Sequence, residues 1–431
     1  MACRSRSDAT PLTDHLAADR RTTLRRRPAL ARPRWRLLGP AFVAAIAYVD
    51  PGNVATNTAA GSAYGFLLLW VVVLATLMAA PVQYLSARLG IVSGDSLPSY
   101  VAARSRRRST RLAYWAQAEL VAVATDVAEI VGAAVALHLL FGLPLVPAGL
   151  LAGVAAMVLL VLRDVLGTRF FEVVCGASLA IIGLCFAFGI VQVPPSPSEL
   201  AAGLVPRLGG SETVLLAAGI VGATVMPHAV YLHSSLASDD RSARERVQHA
   251  EAGVDERLRT ARWDVGLAML VAGTVNVSML VLGAAALGGG DGDSLQDAYD
   301  ALAGGLGSAA GMAFAVALLV SGLASTAVGT QAGAAIMRGL LRRRVPQLVR
   351  RAVTLIPALA LLASGAEPIE VLVHSQVVLA LGLPFALVPL VFASRHHRPP
   401  GSGTGVVRVV AVVAGAVIAL DLTLVVLTLT A

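Results

Sequence analysis

The sequence predicts an all-α integral membrane protein: eleven transmembrane helices, built as a five-plus-five inverted repeat with helices one and six broken. Three observations carry that expectation. The 431 residues are 56% hydrophobic and only 14% charged, with a mean hydropathy of +0.74, whereas a soluble domain carries about a quarter charged residues. Apolar segments long enough to cross a bilayer recur along the chain. Two of them, the first and the sixth, hold a proline beside polar or soft side chains near mid-span.

The elements follow in order. Residues 1–36 form a basic tail (Arg20-Arg21, Arg25-Arg26-Arg27, Arg32, Arg34, Arg36). It lacks an apolar core ahead of a small-residue cleavage site, so no signal peptide is expected. The apolar segments span 37–60, 65–88, 112–141, 145–163, 168–192, 212–236, 263–288, 306–338, 351–364, 368–393 and 405–430, the ninth being the shortest. The first five make one repeat, 37–192, and the next five a second, 208–394. Five is odd, so the second repeat runs opposite to the first, as an inverted repeat requires. The eleventh, in 404–431, is an addition. The stretch 237–262 alternates in charge sign, as a solvated helix or connector does.

Charge distribution sets the orientation. All of the 34 basic residues are Arg, and net charge is +8. With the N-terminus inside, the inner loops hold Arg104, Arg106–Arg108 and Arg111, then Arg163 and Arg169, then the run from Arg241 to Arg262, then Arg338 to Arg351, then Arg395 and Arg398. The outer loops carry Arg207 alone, and one is acidic (Asp291, Asp293, Asp297, Asp300). This positive-inside pattern puts the N-terminus in the cytoplasm and the C-terminus outside, in a plasma membrane. It accounts for the basic charge without a nucleic-acid partner. Cys3, Cys175 and Cys185 fit no metal or disulfide framework.

The chemistry concentrates at the two breaks. Segment one contains Ala47-Tyr48-Val49-Asp50-Pro51-Gly52-Asn53, and segment six Ala223-Thr224-Val225-Met226-Pro227-His228. Proline removes a donor and clashes with the preceding turn, so both helices break there. Irregular backbone at mid-membrane is tolerated where it lines a cavity or binds something. Matching breaks in two halves point to a midplane site. A lone carboxylate at Asp50 costs about 2.5–3.5 kcal/mol or more at that depth, and a cation compensates it. Asn53 adds an amide oxygen and Met226 a thioether; the mixture favours transition metals over alkali and alkaline-earth ions.

Asp50-Pro51-Gly52-Asn53 with Met226-Pro227-His228 resembles the natural resistance-associated macrophage protein (Nramp) family, proton-coupled importers of manganese, iron and related divalent metals with a LeuT-like fold. Gly65-Phe66-Leu67-Leu68-Leu69-Trp70, Ala124-Thr125-Asp126-Val127-Ala128-Glu129, Tyr231-Leu232-His233-Ser234, and Gln376 with Leu383-Pro384-Phe385 extend the resemblance over Gly39–Phe392. It implies that Asp50, Asn53 and Met226 bind the metal, helped by the carbonyls of Ala47 and Ala223. Gln376 is implied to join as the site occludes; the alternative is an amide bonding across helices. Ala229 replaces a usual Asn, Leu323 and Ala324 a more polar pair, and Arg338 stands where an acid is common. The first two departures bear on gating or water access.

Helix three supplies a proton side. Glu119, Asp126 and Glu129 fall on one face, with Asp126 about 20° from Glu119 and about 60° from Glu129. Three carboxylates on one stripe repel when all are ionised, so proton sharing is expected, and such chains form proton routes. The resemblance makes Asp126 the proton acceptor, linked to Asp50 through Glu129 and His228; pairing of Glu119 and Glu129 with bases is the plainer reading. Arg350 and Arg351 either pair with these acids as a proton exit or are ordinary positive-inside residues. His228 and His233 lie about 140° apart on a helix, so one ion cannot use both. His228 reads as a titratable relay and His233 as a vestibule neighbour. His138, His249 and His374 read as interface or loop residues, the adjacent His396 and His397 beside Arg are weak evidence for more than stray metal binding, and Asp421 has no evident partner.

The sequence therefore describes a secondary transporter of Mn²⁺ or Fe²⁺ with protons, working by alternating access, with no cofactor beyond the transported ions. It needs no obligate protein partner besides the lipid bilayer. A Mg²⁺ carrier of the same fold is opposed by the thioether of Met226, and an organic anion carrier by Asp50. A sensor would want a larger soluble domain. No nucleophile–base constellation or phosphate loop points to an enzyme.

Overall fold

Proline and glycine set where helices stop in this chain, and apolar length sets which of them can cross a membrane. The computed structural model describes residues 40–245, 253–287, 294–343, 345–397 and 404–430, and all their regular structure is helical. The first half comprises α1 (Pro40–Ala47), α2 (Pro51–Tyr64), α3 (Leu69–Ser93), α4 (Leu97–Arg104), α5 (Arg108–Phe141), α6 (Leu145–Leu166) and α7 (Thr168–Gln192). After α8 (Pro197–Gly203), the second half comprises α9 (Ser211–Thr224), α10 (Pro227–Glu245), α11 (Val254–Leu287), α12 (Leu295–Leu306), α13 (Ser308–Ile336), α14 (Gln347–Ala363) and α15 (Pro368–His396), followed by α16 (Gly405–Thr430). A 3₁₀ turn, Gly65–Leu68, joins α2 to α3, and a π turn, Met337–Leu341, extends α13.

Both expected breaks are present, between α1 and α2 and between α9 and α10. Among the described residues, nine helical stretches are long and apolar enough to cross a membrane. The two remaining expected segments are the broken first, with halves of 8 and 14 residues, and α14, with 17. Pro346 caps α14, and Gly365 takes a left-handed φ of 76° just beyond its end.

Connections expected to be plain loops carry short helices. In α8 and α12, Ser196 with Glu199 and Ser294 with Asp297 form reciprocal caps that satisfy the first free N–H groups. The charge-alternating stretch is helical as far as Glu245 and again from Val254. The basic tail, His249, Asp291, Asp293 and Arg398 lie outside the described residues.

The broken helices sit at the centre. α2 packs on α9, α11 and α15, and α9 packs on α15. A Cβ at Gly222 of α9 would lie 2.7 Å from the Ala380 backbone nitrogen of α15, and one at Gly61 of α2 would lie 2.7 Å from the Ala284 nitrogen of α11. Only glycine permits backbones so close, the usual device for packing helices in lipid. Outside this centre α6, α7 and α16 present exposed apolar side chains, including Val158, Val165, Leu184, Val191, Val412 and Val426. Facing hydrocarbon, such side chains incur no hydrophobic cost.

Candidate functional site

Asp50 caps α2 because Pro51 at the first helical position leaves no competing donor and fixes the entry of the chain. Its Oδ1 accepts from the Asn53 backbone N–H at 2.8 Å and from Asn53 Nδ2 at 2.7 Å. Asn53 Nδ2 also donates to the Ala223 carbonyl at 2.9 Å, across the two breaks. Asp50, Asn53 and Ala223 are thus directly joined. Asp50 Oδ2 and Asn53 Oδ1 are buried without a hydrogen-bond partner, as are Thr224 Oγ1 and Gln376 Oε1. Orphaned buried acceptors are costly, and an unpartnered carboxylate oxygen on Asp50 with an unpartnered amide oxygen on the Asn53 bonded to it suits a cation.

Gln376 of α15 reaches the same place. Its amide lies against Gly52, where a Cβ would collide with it, and its Nε2 donates to Ser375 Oγ at 3.1 Å. Met226 is fully buried in the second break, and Ala47, the last residue of α1, is buried in the first.

Carbonyls released at the first break find side-chain donors. Asn276 of α11 donates to the Tyr48 carbonyl at 2.8 Å, and Ser321 of α13 to the Val49 carbonyl at 2.5 Å. Neither Asn276 nor Ser321 was singled out in the sequence. An amide inside an apolar helix was the available signal for the first; for a serine no signal existed.

The acids of α5 and the arginines of α14 form one buried cluster. Arg350 lies 3.0 Å from Glu119 through Nη2 and 3.4 Å from Asp126 through Nη1. Arg351, fully buried, lies 3.0 Å from Asp126 and 3.8 Å from Glu129, and donates to Thr326 Oγ1 at 3.1 Å. The arginines are therefore partners of these acids as well as residues at the Arg-rich end. Glycines of α13 make the room: a Cβ at Gly329 would press on the Glu129 carboxylate, and one at Gly333 on the Arg350 guanidinium. Glu129 is within electrostatic reach of Asp50, and His228 of Asp126.

The two histidines part company, as their angular spacing requires. His228 Nδ1 lies 3.3 Å from Thr125 Oγ1, whose own proton goes to the Val121 carbonyl, so the threonine accepts. His233 Nδ1 donates to Gln83 Oε1 at 2.7 Å, and Gln83 Nε2 donates to the Tyr48 hydroxyl. His233 thus joins a second chain, ending at the first break, rather than the acid cluster. Neither Tyr48 nor Gln83 was singled out in the sequence. Ala229 is fully buried, Ala324 nearly so, and Asp421 is buried with both carboxylate oxygens unpartnered.

The family described as natural resistance-associated macrophage protein-like matches residues 41–429. The chain belongs to the Nramp family. It is 54% identical over 379 residues to the divalent metal cation transporter MntH of Mycobacterium tuberculosis H37Rv, covering 87% of this chain and 85% of that protein. The crystal structure of the Eremococcus coleocola manganese transporter with an aromatic bis-isothiourea substituted compound aligns with a TM-score of 0.78 at 31% identity, over 91% of this chain and 86% of that one. Mhp1, a nucleobase-cation-symport-1 family transporter, aligns in a closed conformation with a TM-score of 0.60 at 16% identity, over 86% of this Nramp chain and 81% of its own. That last likeness concerns the fold alone, which is the LeuT-like arrangement of broken helices.

Proposed function

We propose that this Nramp protein imports Mn²⁺ or Fe²⁺ across the plasma membrane into the cytoplasm together with protons, by alternating access of its two repeats around the breaks. The observation that carries the reading is the Asp50–Asn53–Ala223 group, with the acceptors Asp50 Oδ2 and Asn53 Oδ1 unpartnered in a buried position. The names of the relatives, a divalent metal cation transporter and a manganese transporter, support it.

Asp50 supplies the negative charge that a divalent cation needs at depth, and Asn53 Oδ1 a neutral oxygen. The Ala223 carbonyl accepts one hydrogen bond, from Asn53 Nδ2, and its second lone pair can serve a cation. Met226 adds the soft sulfur that discriminates against Mg²⁺, with Ala47 through its carbonyl and Gln376 completing the set. Glu129 and His228 then link Asp50 to Asp126, and Arg350 and Arg351 hold the acids in place while protons move.

Uptake into proteoliposomes under an inward proton gradient tests this. Manganese uptake falls to background in Asp50→Ala, and Mg²⁺ enters only in Met226→Ala. Equal Mg²⁺ and Mn²⁺ uptake by wild type would overturn the role of the sulfur. Undiminished Mn²⁺ uptake in Asp50→Ala would overturn the site.

A further inference from the structure

The end of the molecule where α6, α13 and α14 meet carries charge that neither the metal group nor the acid cluster uses. Arg163, in the last turn of α6, is held rather than free: its side chain is 18% exposed, and its guanidinium lies 5.7 Å above the Phe171 ring. Nη1 lies 3.4 Å from Gln347 Oε1 and 3.6 Å from the exposed Asp164 carboxylate. Arg338, on the π turn that ends α13, is within electrostatic reach of Arg163, like charge against like. Arg342 follows at a left-handed φ of 55°, and Arg343 beside it is also exposed. Glu172, the other nearby acid, is taken by Arg169 at 3.2 Å.

Ordinary positive-inside arginines point separately into water. Here a half-buried guanidinium is fixed by an aromatic ring and an amide, with a second arginine within electrostatic reach; the exposed Asp164 carboxylate at 3.6 Å offsets one of these charges and leaves the rest for an anion. The flanks supply the rest of the ligand. Val158, Val161 and Leu162 of α6 and Val349, Val353 and Ile356 of α14 are exposed and apolar, running from the arginines into the membrane zone.

We propose that Arg163 and Arg338, with Arg342, bind the phosphodiester headgroup of an anionic phospholipid whose acyl chains lie along α6 and α14. The guanidinium fork matches phosphate oxygens, and basic pockets between membrane helices take such headgroups. Phosphate alone would satisfy the arginines but not the apolar flanks, so the flanks select lipid.

The full chain in detergent, titrated with dioleoyl phosphatidylglycerol or dioleoyl phosphatidylcholine and read by native mass spectrometry, tests the assignment. Wild type retains phosphatidylglycerol in preference to phosphatidylcholine. Arg163→Gln with Arg338→Gln weakens that retention about thirtyfold, whereas Arg106→Gln with Arg107→Gln, which removes equal charge from exposed positions at the start of α5, leaves it unchanged. Arg338→Gln alone, an exposed change, weakens it by about fivefold and serves where the double variant does not fold. Equal loss in both double variants would mean diffuse attraction and overturn the site. So would absence of a phosphatidylglycerol preference, or displacement of the bound lipid by inorganic phosphate.

Discussion

Asn53 donates to Asp50 and to Ala223 with one amide group, and that arrangement holds the two broken helices together. The same logic governs the residues that tend the first break. Asn276 and Ser321 come from 228 and 272 positions away to meet the carbonyls of Tyr48 and Val49. Truncating either donor strands a buried acceptor, and the cost follows desolvation, about 1–3 kcal/mol, rather than the smaller net worth of a hydrogen bond. Asn276→Ala and Ser321→Ala are each expected to lower the detergent unfolding midpoint, whereas Thr274→Ala, an exposed position on the same helix as Asn276, barely moves it. Equal midpoints for all three would mean that the Tyr48 and Val49 carbonyls have other partners. The ligand candidates were legible because Asp, Asn and Met are chemically unusual beside a mid-membrane proline. Their supports were not, since a serine on an apolar helix gives no hint of which carbonyl it will meet.

Helix breaks are written in the sequence as Pro51 and Pro227, but what the broken halves lean on is not. The seat of α9 is α15, reached through Gly222, where a Cβ would run into the Gln376 carbonyl oxygen and the Ala380 backbone. Backbone atoms cannot swing aside as a side chain can, so Gly222→Ala must push α9 from α15 or strain both. Overpacking of this kind costs about 1–3 kcal/mol. Because the displaced turn carries Ala223, Mn²⁺ affinity measured by calorimetry is expected to fall along with the unfolding midpoint. Gly415→Ala in α16, where an added Cβ meets nothing within 4 Å, is the matched control and stays within about 0.5 kcal/mol of wild type. Wild-type affinity in Gly222→Ala would show that the α9–α15 approach does not shape the site. Glycines inside apolar helices are visible in a sequence; which of them mark contacts needs the neighbouring helix. The short helices α8 and α12 were missed for a different reason: apolar length, the signal used to find spans, is absent from them, although their serine caps were there to read.

Across the whole molecule, the acid–guanidinium cluster ties α5 of the first repeat to α13 and α14 of the second. Half of it was legible: the helical period puts Glu119, Asp126 and Glu129 on one stripe, while nothing local decides whether Arg350 and Arg351 turn inward. Burial decides it, since Arg351 is fully enclosed and Arg350 nearly so. Removing one member of a buried pair strands the other, at about 3–5 kcal/mol, so Arg351→Leu destabilises strongly. Glu119→Gln, whose side chain is 16% exposed, costs much less. Metal binding and proton coupling then separate at Asp126. Asp126→Asn keeps the shape and gives up the titratable group; it lowers stability by the same rule, because Asp126 faces both arginines, but it leaves the Asp50–Asn53–Ala223 group untouched. Mn²⁺ binding by calorimetry is therefore expected to stay within about threefold of wild type, while Mn²⁺ uptake into proteoliposomes ceases to accelerate when an inward proton gradient is imposed. A variant that binds normally and still answers the gradient as wild type does would remove Asp126 from the proton route. The cluster would then remain as a buried ionic clamp between the two repeats.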